Sequence, residues 1–139
     1  MADEKKILVA DDESHILHVV SLKLRNAGYE IVTADNGEEA LGLASKHRPD
    51  LLITDYQMPF ITGLELKRRP ETAAIPALML TARGFSLSRE QLDRTNIVAV
   101  LAKPFSPRDV LARVQDTIGP APLVANTPAP GTPGAPGRT

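Results

Sequence analysis

Asp11 and Asp12 stand side by side at the end of an aliphatic run in KKILVADDES. Asp55 ends a second such run in LLITDYQMP, Thr81 ends a third in LMLTARG, and Lys103 follows a fourth in VLAKPFSP. Adjacent carboxylates repel one another: two unit charges about 4 Å apart cost roughly 4 kcal/mol at an effective dielectric of 20. Either one of them is protonated or a cation sits beside them. In an open α/β sheet the ligand crevice lies beyond the carboxyl ends of the strands, where the strand order switches, and all of these residues fall at such ends. Three carboxylates converging there supply hard oxygen ligands for an octahedral Mg²⁺, which keeps waters and takes further oxygens from a phosphate. The set suits phosphoryl transfer to a carboxylate, which needs a nucleophilic Asp, a metal to neutralise developing charge, and fixed donors for the phosphoryl oxygens. Asp55 is the expected nucleophile, Lys103 the point charge and Thr81 the hydroxyl donor. Ala82, with almost no side chain, leaves the entrance open.

The elements that must position these groups alternate short apolar runs with amphipathic stretches, the pattern of a parallel sheet wrapped by helices. Strands are expected at Lys5–Ala10, Glu30–Ala34, Leu51–Asp55, Ala77–Thr81 and Ile97–Ala102. The first, third and fourth are continuous aliphatics, as strands covered on both faces are. Helix one carries Leu17, Val20, Leu24 and Ala27 at helical spacing and stops at Gly28, a C′ glycine. Helix two starts at Asn36 with Glu39 three residues on, helix four at Ser88 with Gln91, and helix five at Ser106 with Pro107 and Asp109; each has the residues of an N-cap. Helix five is amphipathic through Val110, Leu111, Val114 and Ile118, whereas helix four has mainly Leu92 as an anchor and is the looser one. Helix three has a capping box in Thr62 and Glu65, but Pro70 cuts it off after barely two turns.

With 139 residues the chain has room for one domain and one core. Sixteen Lys and Arg against 17 Asp and Glu leave no summed field that argues for nucleic acid or an anionic membrane. The absence of cysteine excludes disulfides, thiolate metal sites and a cysteine nucleophile. The apolar run after Lys6 is far too short for a signal-peptide core or a membrane span, so the expectation is a soluble, cytoplasmic chain without membrane insertion. From Gly119 onward Pro, Ala, Gly and Thr dominate without periodicity, the composition of a disordered tail or linker.

The stretches VADDE, LLITDYQMPFITGLEL, IPALMLTA and VLAKPFSP, in this order and each at a strand end, resemble the receiver domain of two-component response regulators, from about Lys5 to Ile118. The resemblance implies a flavodoxin-like (βα)5 fold: a doubly wound, five-stranded parallel sheet of order 2-1-3-4-5 with helices on both faces. It divides the chain into a receiver domain, residues 1–119, and a Pro/Ala/Gly-rich tail, 120–139. It implies Mg²⁺ held by Asp11, Asp12, Asp55 and the backbone carbonyl of Gln57. It implies a phosphoryl group passed to Asp55 by a sensor histidine kinase, a phosphotransfer protein or a small acyl phosphate. The family's hydroxyl and lysine fall on Thr81 and Lys103, and its usually cis lysine-proline peptide on Lys103–Pro104. Phosphorylation is then expected to shift the surface of the fourth helix, fifth strand and fifth helix toward an unidentified output partner, with the chain a monomer or a phosphorylation-dependent homodimer. Such a chain is a signalling phosphoacceptor rather than an enzyme. Two departures stand out: Val100 occupies the place of the switch aromatic three residues before the lysine, and the third helix is about one turn short. Gln57 and Arg83 flank the expected phosphate, where a long polar or cationic group either shields it from attacking water or orients that water.

Taken singly, each residue has an ordinary reading: Asp11 and Asp12 as caps of helix one, Thr81 as a strand-end hydroxyl, Lys103 as a surface lysine. Their coincidence at one pole carries the inference. His15 and His18, at i and i+3, have no third ligand near them in sequence. Arg68 and Arg69 read as a solvated surface pair. A receiver fold acting as an interaction module without phosphorylation is the alternative function, and an Asp-nucleophile phosphohydrolase the third. No helix-turn-helix or basic stripe follows helix five, so no direct nucleic-acid contact is expected.

Overall fold

A computed structural model describes residues 5–82, 88, 90 and 95–121. Five parallel strands, β1 (Lys6–Ala10), β2 (Glu30–Ala34), β3 (Leu51–Asp55), β4 (Ala77–Thr81) and β5 (Ile97–Ala102), form one sheet of order β2-β1-β3-β4-β5. The strand positions agree with the sequence reading to within one residue, at the start of β1. Residues of β1, β3 and β4 are almost all buried, because helices cover both faces of the sheet centre and remove the need for a polar side. Helices α1 (Ser14–Asn26), α2 (Gly37–His47) and α3 (Gly63–Lys67) follow the first three strands, and a C-terminal helix, Pro107–Ile118, follows the fifth. The fourth helix expected from Ser88, Gln91 and Leu92 falls on residues most of which lie outside those described, as does Arg83.

The alternation of side chains along the strands divides the core in two. On one face Leu8, Ala10, Leu52 and Met79 pack with Ala40, Ala44, Leu64 and Leu66 of α2 and α3. On the other, Ile7, Val9, Ile53, Leu78 and Leu80 pack with Val20 and Leu24 of α1 and with Val110 and Val114 of the C-terminal helix. Each fully buried aliphatic contributes about 1.5–3 kcal/mol relative to exposure, so the strand ends are set by a core that does not yield easily.

The caps work as the sequence suggests. Asn36 accepts from the Glu39 N–H at 2.8 Å, Thr62 and Glu65 form a reciprocal capping box, and Ser106 accepts from the Asp109 N–H at 3.1 Å with Pro107 at the first turn. Gly28, at φ 101°, follows the Ala27 cap of α1, a left-handed position open to glycine at little cost.

Two local features tune the pole where the strands end. Ala77 pairs with Ile97 but Leu78 with Ala99, so Val98 is an extra residue in β5 and lies half exposed. This bulge sets the register that puts Thr81 opposite Ala102 and lets the Lys103 N–H donate to the Thr81 carbonyl at 2.7 Å. Gly63 opens α3 directly against β3: a Cβ there would lie 2.5 Å from the Asp55 carbonyl oxygen and 2.8 Å from the Met79 sulfur. Only glycine admits that approach.

Candidate functional site

The carboxyl pole of the sheet gathers the residues singled out from the sequence. Asp11 follows β1 fully buried, Asp55 ends β3 at 5% exposure, and Thr81 ends β4 fully buried, whereas Asp12 is exposed at the rim. One carboxylate oxygen from each of Asp11, Asp12 and Asp55 lies within 4.8 Å of the others. Lys103 reaches into the group, its Nζ 3.4 Å from both Asp11 Oδ2 and Asp55 Oδ1 and 2.5 Å from Glu13 Oε1. Asp12, Glu13, Asp55, Gln57, Ala82 and Lys103 line one open cleft. Among the described residues no other group of His, Cys, Asp and Glu could hold a metal, so His15 and His18 belong to none.

Backbone bonds explain the placement. The Asp11 N–H donates to the Ala34 carbonyl at 3.1 Å, and its Oδ1 accepts from the Glu13 N–H at 2.8 Å. The chain leaves β3 with the Tyr56 N–H on the Leu80 carbonyl and returns with the Gly63 N–H on the Tyr56 carbonyl, both at 2.8 Å. Between them, the Ile61 N–H donates to the Pro59 carbonyl at 2.9 Å across Phe60, which takes φ 74°. That is a γ-turn of the rare, strained kind. The Lys103–Pro104 peptide is cis, as the resemblance implied.

Electrostatics at this pole are strained. Burial, then the neighbouring Asp11 charge, push the Asp55 pKa up from 3.8 to about 6, against the pull of Lys103. Burial also raises Asp11, partly offset by the Glu13 N–H and by Lys103. For Lys103 burial acts downward, but the Glu13 hydrogen bond and the charges of Asp11 and Asp55 outweigh it and leave its pKa raised. Among the described residues Asp11 Oδ2 and Thr81 Oγ1 are buried without a hydrogen-bond partner, the former having the long ion pair to Lys103. Buried acceptors left open cost free energy, and an anionic, oxygen-only donor set at the ends of β1 and β3 fits a hard divalent cation.

Glu13 and Lys67 were not legible as site or core residues in the sequence. Glu13 had a signal, an acid directly after the aspartate pair, but nothing in the spacing pointed its side chain at Lys103. Lys67, on α3, is 1% exposed and donates to the Thr72 and Ala73 carbonyls at 2.9 Å each. Arg68 and Arg69 are exposed, and Val100 is half buried against the core cluster to which α2 and α3 contribute.

A doubly wound sheet with an acidic cleft and a lysine at its carboxyl pole defines a class: receiver-type α/β domains. The family model described as "Response regulator receiver domain" matches residues 7–115, and the chain belongs to that family. Among curated proteins it is 39% identical over 113 residues to the alkaline phosphatase synthesis transcriptional regulatory protein PhoP of Bacillus subtilis, covering 80% of this chain and 47% of that protein. It is 36% identical over 115 residues to the phosphate regulon transcriptional regulatory protein PhoB of Pseudomonas aeruginosa, covering 80% and 50%. The chain thus matches about half the length of these relatives. Among solved structures, the chemotaxis response regulator CheY4 of Vibrio cholerae superposes with a TM-score of 0.73 at 34% identity, over 84% of this chain and all of that one. The receiver domain of the Pseudomonas aeruginosa sensor histidine kinase PA1611, with a magnesium ion coordinated in its active-site cleft, superposes with a TM-score of 0.72 at 26% identity, over 84% and 99%. The protein is therefore a receiver domain of the two-component response regulators. No described helix is long and apolar enough to cross a membrane.

Proposed function

We propose that Asp55 accepts a phosphoryl group and that Asp11, Asp12, Asp55 and the Gln57 carbonyl hold Mg²⁺ beside it. The observation that carries this reading is the convergence of three carboxylates around a buried Asp11 oxygen that lacks a hydrogen-bond partner. A carboxylate oxygen of Asp55 attacks phosphorus as the bond to the donor breaks. The electron pair leaves on acetate when the donor is acetyl phosphate, or on the imidazole nitrogen of a phosphohistidine, which then takes up a proton. When bound, the cation neutralises the carboxylates and the charge developing on the phosphoryl oxygens. Lys103 supplies a positive charge close to Asp55, and the Thr81 hydroxyl, without a partner among the described residues, is available to donate to a phosphoryl oxygen. Ala82 leaves the cleft open for the donor.

In this reading the phosphoryl donor is a sensor histidine kinase or a phosphotransfer protein, and the phosphorylated chain acts on an output partner, alone or as a homodimer. Residues 120–139 act as a tail or linker. The protein is a phosphoacceptor with at most self-phosphorylating and self-dephosphorylating activity. The curated relatives are transcriptional regulators by name, but the near-neutral charge of this chain gives it no electrostatic footprint for nucleic acid of its own. Val100 favours a second reading, an interaction module acting without phosphorylation, because a half-buried aliphatic lacks the ring through which such a site could signal.

Incubation with Mg²⁺ and acetyl phosphate, with and without EDTA, followed by intact mass, separates the two. One added phosphoryl group that requires Mg²⁺ and is absent in Asp55→Asn is the expected result. No adduct, together with no consumption of acetyl phosphate, overturns the reading in favour of the interaction module.

A further inference from the structure

We infer that Glu13 is a positioning residue that holds the Lys103 ammonium at the rim of the acidic cleft, leaving oxygens of Asp11 and Asp55 open to a cation. The inference rests on the proposed role of the cleft and names a residue that acts through Lys103 rather than on the phosphoryl group. Three carboxylates surround Lys103 Nζ, and they are not equivalent. Glu13 Oε1 is at 2.5 Å, whereas Asp11 Oδ2 and Asp55 Oδ1 are both at 3.4 Å, beyond the usual length of about 2.7–2.9 Å for an ammonium donating to a carboxylate. The ammonium is bonded to the rim and only leans toward the centre.

Glu13 is well placed to do this. It occupies the N-cap position of α1, where Ser, Thr, Asp or Asn would ordinarily bond the first turn, yet its side chain makes no cap bond. It turns instead to Lys103. Its backbone is held in two places, the N–H donating to Asp11 Oδ1 at 2.8 Å and the carbonyl accepting from the Leu17 N–H at 3.0 Å. One residue therefore orients Asp11 through its main chain and Lys103 through its side chain. At the other end, the Lys103 backbone is fixed by its bond to the Thr81 carbonyl at 2.7 Å, so only the flexible side chain decides where the charge sits. The Glu13 side chain is 58% exposed and that of Lys103 20%. An ion pair at such a rim is screened and weak, and can be exchanged for a phosphoryl oxygen when one arrives. Without the Glu13 charge the ammonium closes on Asp11 Oδ2 and Asp55 Oδ1 and competes with the cation for them.

The test is a calorimetric titration of the unphosphorylated full chain with MgCl₂ for four proteins: the natural one, Glu13→Gln, Lys103→Met and the double variant. Circular dichroism in EDTA confirms that each is folded, and Glu13→Ala replaces Glu13→Gln should the latter not be. Glu13→Gln is expected to weaken Mg²⁺ binding about 3- to 5-fold, the upper end of the scale of one exposed ion pair. In the Lys103→Met background the same change is expected to have less than about a 2-fold effect. Labelling by acetyl phosphate in Glu13→Gln is expected to slow at low Mg²⁺ and to recover at saturation. Unchanged Mg²⁺ affinity in Glu13→Gln overturns the inference. So does an undiminished loss in the Lys103→Met background, which would make Glu13 a distant charge rather than a holder of the lysine. The expected cycle without any phosphoryl adduct would leave Glu13 its role and sink the phosphoacceptor reading, and no Mg²⁺ binding by the natural chain would sink both.

Discussion

Two lysines are withdrawn from water in this domain, and their surroundings push them opposite ways. Lys103 lies among Glu13, Asp11 and Asp55, and its pKa is raised. Lys67 lies beneath α3, where among the described residues its acceptors are the Thr72 and Ala73 carbonyls, and burial lowers its pKa from 10.5 to about 8. Burial acts downward on both; formal negative charge makes the difference. Carbonyl dipoles can orient an ammonium, but they do not offset its desolvation as carboxylates do. The cleft is thus a region where charge has been concentrated, at a cost, for use. The underside of α3 is one where a charge is a fastener. There Thr72 Oγ1 also donates to the Leu66 carbonyl, and to that of Arg69 at 3.2 Å. Together with Lys67 it closes the chain where Pro70 forbids another helical turn.

The strongest way to break this contrast is Asp55→Asn. Phosphoryl acceptance should disappear, and the fold should become more stable. Asp55 binds its proton more tightly folded, at about 6, than at the ordinary 3.8. Its contribution is fully present below pH 3.8 and is lost as pH rises through 6, so at pH 7 the ionised side chain costs up to about 3 kcal/mol. Urea denaturation in EDTA should show Asp55→Asn more stable than the natural chain at pH 7 by a large part of that amount, and equal to it near pH 3.5. Equal stability at pH 7 would mean that the cleft is not strained by its charge.

Lys67 should show the opposite pH trend. Between about pH 8 and 10.5 the unfolded chain still holds a proton that the folded chain has released, so stability should climb with pH, by roughly 2 kcal/mol from pH 7.5 to 9.5. Lys67→Met, which keeps the volume and removes the charge, should flatten that rise. A rise that survives the substitution would assign it to another group and end the comparison of the two lysines.

A smaller effect separates the members of the acidic set. Asp12 is exposed whereas Asp11 and Asp55 are buried, so Asp12→Ala should leave stability nearly unchanged. It should weaken Mg²⁺ binding by about tenfold, because affinity follows the number of charged ligands, and slow phosphoryl acceptance at low Mg²⁺ in step. A change in one without the other would remove Asp12 from the cation site.

The parts of this molecule that were legible in advance share a physical cause. Continuous aliphatics in Leu51–Asp55 and Ala77–Thr81 marked central strands because two-sided burial leaves no choice of residue, and a carboxylate or hydroxyl ending such a run was conspicuous. Thr62 with Glu65 and Ser106 with Asp109 are local bonds, readable from spacing alone. What escaped depends on contacts distant in sequence. The Val98 bulge follows from the register of β5 on β4, and the Lys103–Glu13 pair joins residues 90 apart. Nothing local in the sequence marks Lys67 as buried, because its acceptors, the Thr72 and Ala73 carbonyls, are brought to it by the chain folding back after Pro70.

The weakest expected effect sharpens the contrast between strain that serves chemistry and strain that does not. Among the described residues, three buried side-chain atoms lack a hydrogen-bond partner: Asp11 Oδ2 and Thr81 Oγ1 at the cleft, and Ser21 Oγ inside α1. A buried hydroxyl without a partner is mildly unfavourable, and alanine suits a helix interior better than serine. Ser21→Ala should therefore stabilise the fold by about 0.5–1 kcal/mol and leave the rate of phosphoryl acceptance unchanged. Thr81→Ala removes an unpartnered hydroxyl of the same kind, yet should slow phosphoryl acceptance several-fold, because its free donor is the one left for a phosphoryl oxygen. Measured side by side by thermal melting and acetyl phosphate labelling, equal effects of the two substitutions on labelling would mean that an open hydroxyl at the strand end is no more than a packing defect.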